Sequence, residues 1–346
     1  MKKTLVLLCV LLFAITVFVG CTSNGSGVEL PPYDITGQEP VVDVNIYGAI
    51  HRIVYGDNVV YLFGSLHGGR DTWYPLADVV EQAMNRADVF VSEFGLADTA
   101  EQNEVMQAFM ILPAGQTWAE FLPQDAYDHM VAMAETWELN YDEVNTMHPA
   151  FLIFSLEMQL ALALAEDMQL GNTVGDISVD GYVMTRAVER DVPVLGLESI
   201  EQQARILYAP PFEVILARVM YHFMPPAEMM SAIQNSPEPS LDELADMYAA
   251  NDLTALAESF AVTLSLAAQE AAHEELWIAY MREYVMNWRS AYYAIEIARL
   301  LQETQEATTF FVVVGISHII RGRAGAEFTD IVEQLELLGI EAVPMW

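Results

Sequence analysis

Two apolar runs in this chain end in the same way, and that shared ending constrains the fold more than any other feature. Val59-Val60-Tyr61-Leu62-Phe63 leads into Gly64-Ser65-Leu66-His67, and Phe311-Val312-Val313-Val314 leads into Gly315-Ile316-Ser317-His318. Short, continuous apolar runs rich in valine and aromatic residues predict buried strands. Glycine allows a sharp exit from the strand where a side chain would clash. Each histidine then falls just past the carboxyl end of its strand, where open α/β sheets place their ligand crevices. Strand, glycine, two residues, histidine is therefore an internal repeat, with its copies near the two ends of the domain.

The same reading places further strands at Val89 to Val91, Val192 to Leu197 and Ile340 to Val343. An N-terminal hairpin of Val44 to Tyr47 and Ile50 to Tyr55 is expected before them, with a turn near Gly56-Asp57-Asn58. Helical periodicity marks Leu76 to Arg86, Asp125 to Glu138, Pro149 to Met168, Asp180 to Arg190, Glu213 to Phe223 and Leu253 to Ala268. Glu274 to Gln302 continues the pattern over a length that predicts a kink or a split. The expected fold is α/β, one domain over 43–346, with the stretch 205–300 as a helical cap or insert between strand-bearing halves. Methionine and aromatic residues at helical spacing, such as Met130, Met133, Trp137, Met220 and Phe223, read as core.

The first residues speak to location. Met1-Lys2-Lys3 precedes an apolar stretch from Leu5 to Val19, then Gly20 and Cys21. That order predicts a lipoprotein signal over 1–20, lipidation at Cys21 and a flexible Ser/Gly/Pro-bearing tether over 21–42. A plain N-terminal membrane anchor is the competing reading.

Composition then removes several chemistries. The only cysteines are Cys9 and Cys21, so the domain has no thiol for a disulfide, a thiolate metal site or a nucleophile. Lys2 and Lys3 are the only lysines, which excludes a Schiff-base lysine, a Ser-Lys dyad and a P-loop lysine from the domain. The net charge is -35. Such a surface repels nucleic acid and anionic membrane faces, leaving the membrane as a partner only through the lipid. It favours cationic substrates, or simply solubility.

Two more strands end in carboxylates. Asp88 to Ser92 leads to Glu93, and Val192 to Leu197 leads to Glu198. If these strands are parallel neighbours, His67, Glu93 and His318 meet at one rim. Two imidazoles and a carboxylate with an open position make the ligand set of a hydrolytic metal site. The competing reading is that each polar residue merely marks the chain leaving the core. Arg70 lies three residues beyond His67, and Arg321 and Arg323 lie three and five beyond His318. They suit an anion subsite for a peptide carboxylate or an oxyanion, with chance placement as the alternative. Other motifs fail. His273-Glu274-Glu275 lacks the second histidine of a zincin helix, no Gly-x-Ser-x-Gly elbow exists, and Asp125, Asp128 and Asp142 make no calcium loop. His51, His129, His148 and His222 read as structural or surface residues.

The ordered set of Gly64-Ser65-Leu66-His67, Glu93 and Gly315-Ile316-Ser317-His318 resembles the TraB/GumN family, which includes bacterial pheromone-shutdown proteins and the animal TIKI proteases. The likeness spans roughly residues 46–346 and extends to Val179-Asp180, to Pro193 through Ser199 with Gln202, and to Arg289-Ser290 with Tyr293-Ala294. The chain departs from the family pattern in having Ser65 for threonine, Ser290 for asparagine and Ser178 for glycine. The resemblance implies a peptidase dependent on a divalent metal such as Mn, Co or Zn, with His67, Glu93 and His318 at the metal. It implies supporting roles for Arg289, Asp180 and Glu198, with Glu198 as candidate general base, and hydroxyls at Ser65 and Ser317 near the substrate. It also implies pseudo-symmetric halves with helices outside, related to erythromycin-esterase-like and haem-binding ChaN-like proteins. The expected substrate is a peptide or another small secreted molecule. A surface lipoprotein that captures a secreted peptide or haem without cutting it is the alternative.

Overall fold

Residues 46–95, 99–156, 178–221, 239, 241–266, 272–320, 322, 325 and 328–346 are described by the computed structural model. Cys21, the leader, the tether, Arg321 and Arg323 lie outside these residues.

The apolar runs form one six-stranded sheet: β1 (His51–Tyr55), β2 (Asn58–Ser65), β3 (Val89–Ser92), β4 (Val194–Gly196), β5 (Thr309–Gly315) and β6 (Ala342–Pro344). Their spatial order is β4-β3-β5-β2-β1-β6. The first four in that order run parallel, and β1 pairs antiparallel with both β2 and β6. A parallel strand flanked on both sides has no polar face to offer water, which is why β2 and β5 read as unbroken apolar runs. Phe63, Phe90 and Phe311 pack ring against ring across the centre of the sheet.

Strand β5 is the last of the parallel set in the chain, yet it inserts between β3 and β2. Its register sets Ser65 opposite Gly315, so both Gly-x-x-His turns leave the same edge side by side. Glu93 follows β3 and Glu198 follows β4 at that edge. Four neighbouring parallel strands thus deliver four polar residues to one rim, the placement expected for a ligand crevice.

The hairpin differs from the sequence expectation. Its arms are β1 and β2, joined at Gly56-Asp57, whereas Tyr47 to Ile50 form a turn closed by Ile50 N–H donating to the Tyr47 carbonyl. Val44 lies outside the described residues. The turn holds Gly48 at φ +51°, and a side chain there would strike the Phe63 ring. Strand β4 is also shorter than the apolar run predicts.

The long helical pattern near the end divides into a helix Ala272–Tyr280, a π-helix Met281–Trp288 and a helix Arg289–Glu303. An extra residue per turn, rather than a break, accommodates the expected irregularity. Between β4 and β5 every described element is helical. A second apolar cluster, built on Trp118, Met130, Met133, Ile153 and Val219, sits among helices away from the sheet core.

Candidate functional site

The rim is held by short backbone ties before any side chain contributes. Glu198 N–H donates to the Glu93 carbonyl at 2.7 Å, and Ile316 N–H donates to the Ser65 carbonyl at 2.8 Å. Val179 N–H, at the start of the helix Val179–Glu189, donates to the Leu66 carbonyl at 3.1 Å. Ser178 caps that helix, its hydroxyl accepting from Gly181 N–H at 3.0 Å, so the departure from glycine there adds a cap. Ser199 and Gln202 form a reciprocal capping box directly after Glu198.

Side chains then converge. A methyl group built on Gly315 would lie 3.5 Å from His67 Nε2, 3.6 Å from Glu93 Oε1 and 3.9 Å from His318 Cδ2. One small space therefore faces two imidazoles and a carboxylate that are distant in the sequence. His67 Nδ1 stands 2.7 Å from Asp180 Oδ2, so in the neutral ring a proton held on Nδ1 leaves a lone pair on Nε2. That Nε2 is buried without a protein partner. Ser65 donates its hydroxyl to the other Asp180 oxygen, completing a chain from hydroxyl to carboxylate to imidazole. At His318 the comparable support is Ser290, whose hydroxyl lies 2.9 Å from Nδ1.

Arg289 is the buried centre of the carboxylate side. Its Nη2 donates to Glu93 Oε2 at 2.8 Å and to Glu198 Oε1 at 2.5 Å, and its Nε reaches Glu198 Oε1 at 3.1 Å. Tyr293, one turn further along, accepts from Arg289 and donates to Glu198 Oε1 at 2.7 Å. Glu93 Oε1 accepts from Gly315 N–H at 2.9 Å. Removing either acid would leave a buried guanidinium partly uncompensated, so the three groups stand or fall together.

Electrostatics follow from these contacts. Burial disfavours the charged imidazole of His67, but Asp180 and Glu93 outweigh it and raise its pKa. For Asp180 the cost of burial is likewise overcome, by His67 and Ser65, and its pKa is lowered. Burial opposes the charge on Arg289 too, yet Glu198, Tyr293 and Glu93 hold it protonated. Burial first, and then the neighbouring acids, keep the Tyr293 phenol neutral against the opposing pull of Arg289.

The rim and its flanks sort the expected residues. His67, Glu93 and His318 share the space above Gly315, and Asp180, Ser65 and Arg289 buttress them. The side chain of Glu198 is fully enclosed and spent on Arg289, Tyr293 and Gln203, a counter-ion's position with no path to water. Ser317 is buried on the turn before His318. Arg70 points to the helix Leu241–Ala249, pairing with Asp246 at 2.6 Å and Asp242 at 2.9 Å. Tyr248 of the same helix donates its hydroxyl to the Gly64 carbonyl at 2.8 Å. The sequence assigns no role to Tyr293, which it offers only as part of the family likeness, nor to Tyr248, on a helix whose apolar pattern is too short to stand out.

The donors suit a divalent ion in chemistry. Glu93 and Glu198 face one guanidinium and Asp180 faces His67, so the carboxylates outnumber the cations at the rim. A buried excess of negative charge, an orphaned imidazole nitrogen and a space that one methyl would fill are what a cation requires. In spacing they do not yet make a site: among the described residues, no group of three or more His, Cys, Asp or Glu side chains is placed so that it could hold a metal ion. No helix among them is long and apolar enough to cross a membrane.

Comparison with known proteins gives one match. The description of the TraB/PrgY/gumN family fits residues 49–323, which include all four strand-end positions at the rim. No curated protein and no solved structure matches the chain.

Proposed function

The chain belongs to the TraB/PrgY/gumN family, and from that premise we propose that it is an extracytoplasmic, lipid-tethered, metal-dependent hydrolase of the peptidase type. The observation that carries the proposal is the space above Gly315, faced at once by His67 Nε2, Glu93 and His318. These three residues would hold the ion. When bound, a divalent metal polarises a carbonyl and lowers the pKa of a bound water toward neutrality.

The chain's own residues do the rest by positioning. Asp180, braced by Ser65, fixes the His67 tautomer so that Nε2 faces the space. Ser290 orients the His318 ring through its contact with Nδ1. Arg289 holds Glu93 in place, and Glu198 with Tyr293 holds Arg289. Glu198 thereby acts through the guanidinium rather than as the general base. The leader over 1–20 and Cys21 would supply the tether, in keeping with a domain that carries no lysine and no cysteine.

Elemental analysis of the purified protein tests the metal directly. Near-stoichiometric Mn, Co or Zn is expected, lost when His67→Ala and His318→Ala are combined. A protein that stays metal-free after incubation with all three ions overturns the proposal. A peptide-library digest with and without chelator then reads the hydrolysis.

One observation favours a second reading. Both Glu93 oxygens already accept hydrogen bonds, from Gly315 and Arg289, which suits a rim that captures a secreted peptide or haem without cutting it. Metal-free protein that binds peptide with undiminished affinity would establish capture.

A further inference from the structure

Beyond the rim, the helical run that delivers Arg289 presents aromatic side chains at Tyr280, Tyr284, Trp288 and Tyr292. Tyr280 stacks on Tyr284 with ring centroids 4.9 Å apart. Trp288 stacks on Tyr292 at 5.2 Å, with the two planes within 5° of parallel. Tyr284 is 49% and Trp288 43% exposed, whereas Tyr280 is buried in the core and Tyr292 packs against it, so each stack turns one ring outward. Large aromatic side chains exposed one helical turn apart are candidates for a binding face.

Its place is fixed relative to the rim. Trp288 immediately precedes Arg289, and the Tyr292 ring lies 6.5 Å from that of Tyr293. Gln202, four residues past Glu198, donates to the Tyr292 hydroxyl at 3.4 Å. The aromatic face therefore begins where the buried charges end.

The charge of the molecule says what suits that face. The chain carries a net -35 and no lysine beyond Lys3, so its field gathers cations. Beside the rings, exposed Glu283 is offset by partly buried Arg282, leaving the local attraction to the π-faces themselves. Indole and phenol faces attract ammonium and guanidinium groups, indole most strongly.

We infer that Tyr284, Trp288 and Tyr292 form a docking subsite for the basic side chains of a peptide that runs on toward the rim. That the ligand is a peptide rests on the hydrolase reading above. Preference for its positive charge rests on the aromatic face and the acidic surface.

Full-length protein in detergent, titrated with dye-labelled peptides of equal length and equal apolar content but basic, neutral or acidic, provides the test by fluorescence anisotropy. The basic peptide is expected to bind about tenfold tighter than the neutral one at moderate salt. Trp288→Ala should weaken the basic peptide about fivefold, while Trp288→Phe, which keeps a ring, should weaken it about twofold. Equal binding of all three peptides, or a Tyr284→Ala/Trp288→Ala protein that binds the basic peptide like wild type, overturns the inference. Binding of a neutral oligosaccharide through Trp288, with the basic peptide ignored, overturns it as well. Cleavage is scored separately with added Mn, Co or Zn. A basic peptide that docks through Trp288 but is never cut leaves the subsite standing and removes the hydrolase. Cleavage that is indifferent to Trp288 removes the subsite alone.

Discussion

His67 at the sheet rim and His148 in the helical region around Trp118 are both largely buried, and their environments drive them in opposite directions. At the rim, carboxylates overcome burial and raise the imidazole pKa. His148 sits beside Phe121, at a ring distance of 5.4 Å, and burial alone lowers its pKa to about 4. The sheet rim spends burial on concentrating charge, whereas the helical cluster spends it on excluding water from Trp118, Met130 and Met133. Substitutions should therefore separate function from stability by region.

The largest effect is expected for Arg289→Met. It strands Glu93 and Glu198 in the interior, costing about 3–5 kcal/mol in urea unfolding, and it should abolish hydrolysis. Adding Glu93→Gln and Glu198→Gln should recover most of that stability and none of the activity. A triple variant that remains as unstable as the single one would break the account of the rim as a charge cluster.

Trp118→Ala should cost about 3–4 kcal/mol through a cavity in the helical cluster. Metal content and activity per folded molecule should hold, because Trp118 touches none of the rim residues. A matching loss of metal would show that the two regions are coupled.

Gly315→Ala sharpens the contrast from the other side. The added methyl meets its neighbours at ordinary contact distances, so stability should move by less than about 1 kcal/mol. Metal affinity, read by chelator competition, should drop about tenfold or more because the methyl occupies the space the three ligands face. Ser290→Ala, which releases the His318 ring, should also weaken metal about tenfold.

The smallest effect belongs to His148. Its folded pKa lies below the ordinary 6.5, so as pH falls the unfolded chain takes up the proton first. Stability should therefore drop as the pH falls from 6.5 toward about 4, and His148→Phe should flatten that slope. An unchanged pH dependence in the variant would place the titrating group elsewhere.

The sheet and its rim were largely readable before any coordinates, for a local reason. Buried parallel strands must be apolar throughout, and the first polar residue past each marks its carboxyl end, so His67, Glu93, Glu198 and His318 announce themselves. Their grouping follows from the family resemblance and not from spacing, since the insertion of β5 between β3 and β2 joins residues about 250 positions apart and leaves no trace there. The hairpin was shifted because Ile46, Ile50 and the turn between them are apolar for burial rather than for strand pairing. Tyr293 and Ser290 stand in the stretch that resembles the family, but their partners, Glu198 and His318, do not show in the sequence. On a helix face buried against the sheet, a hydroxyl reads as packing until its partners are known. The π-helix Met281–Trp288 ends immediately before Arg289, and no periodicity in the sequence separates it from an ordinary helix.

The central position of β5 also bears on how the chain must be made. Until about residue 315 has emerged, β2 and β3 each present an open, apolar edge, and the strand that belongs between them is missing. Assembly is thus deferred to the end of synthesis, with a high contact order and slow closure. A nonsense codon shortly before β5 would therefore remove the middle of the sheet rather than trim its margin.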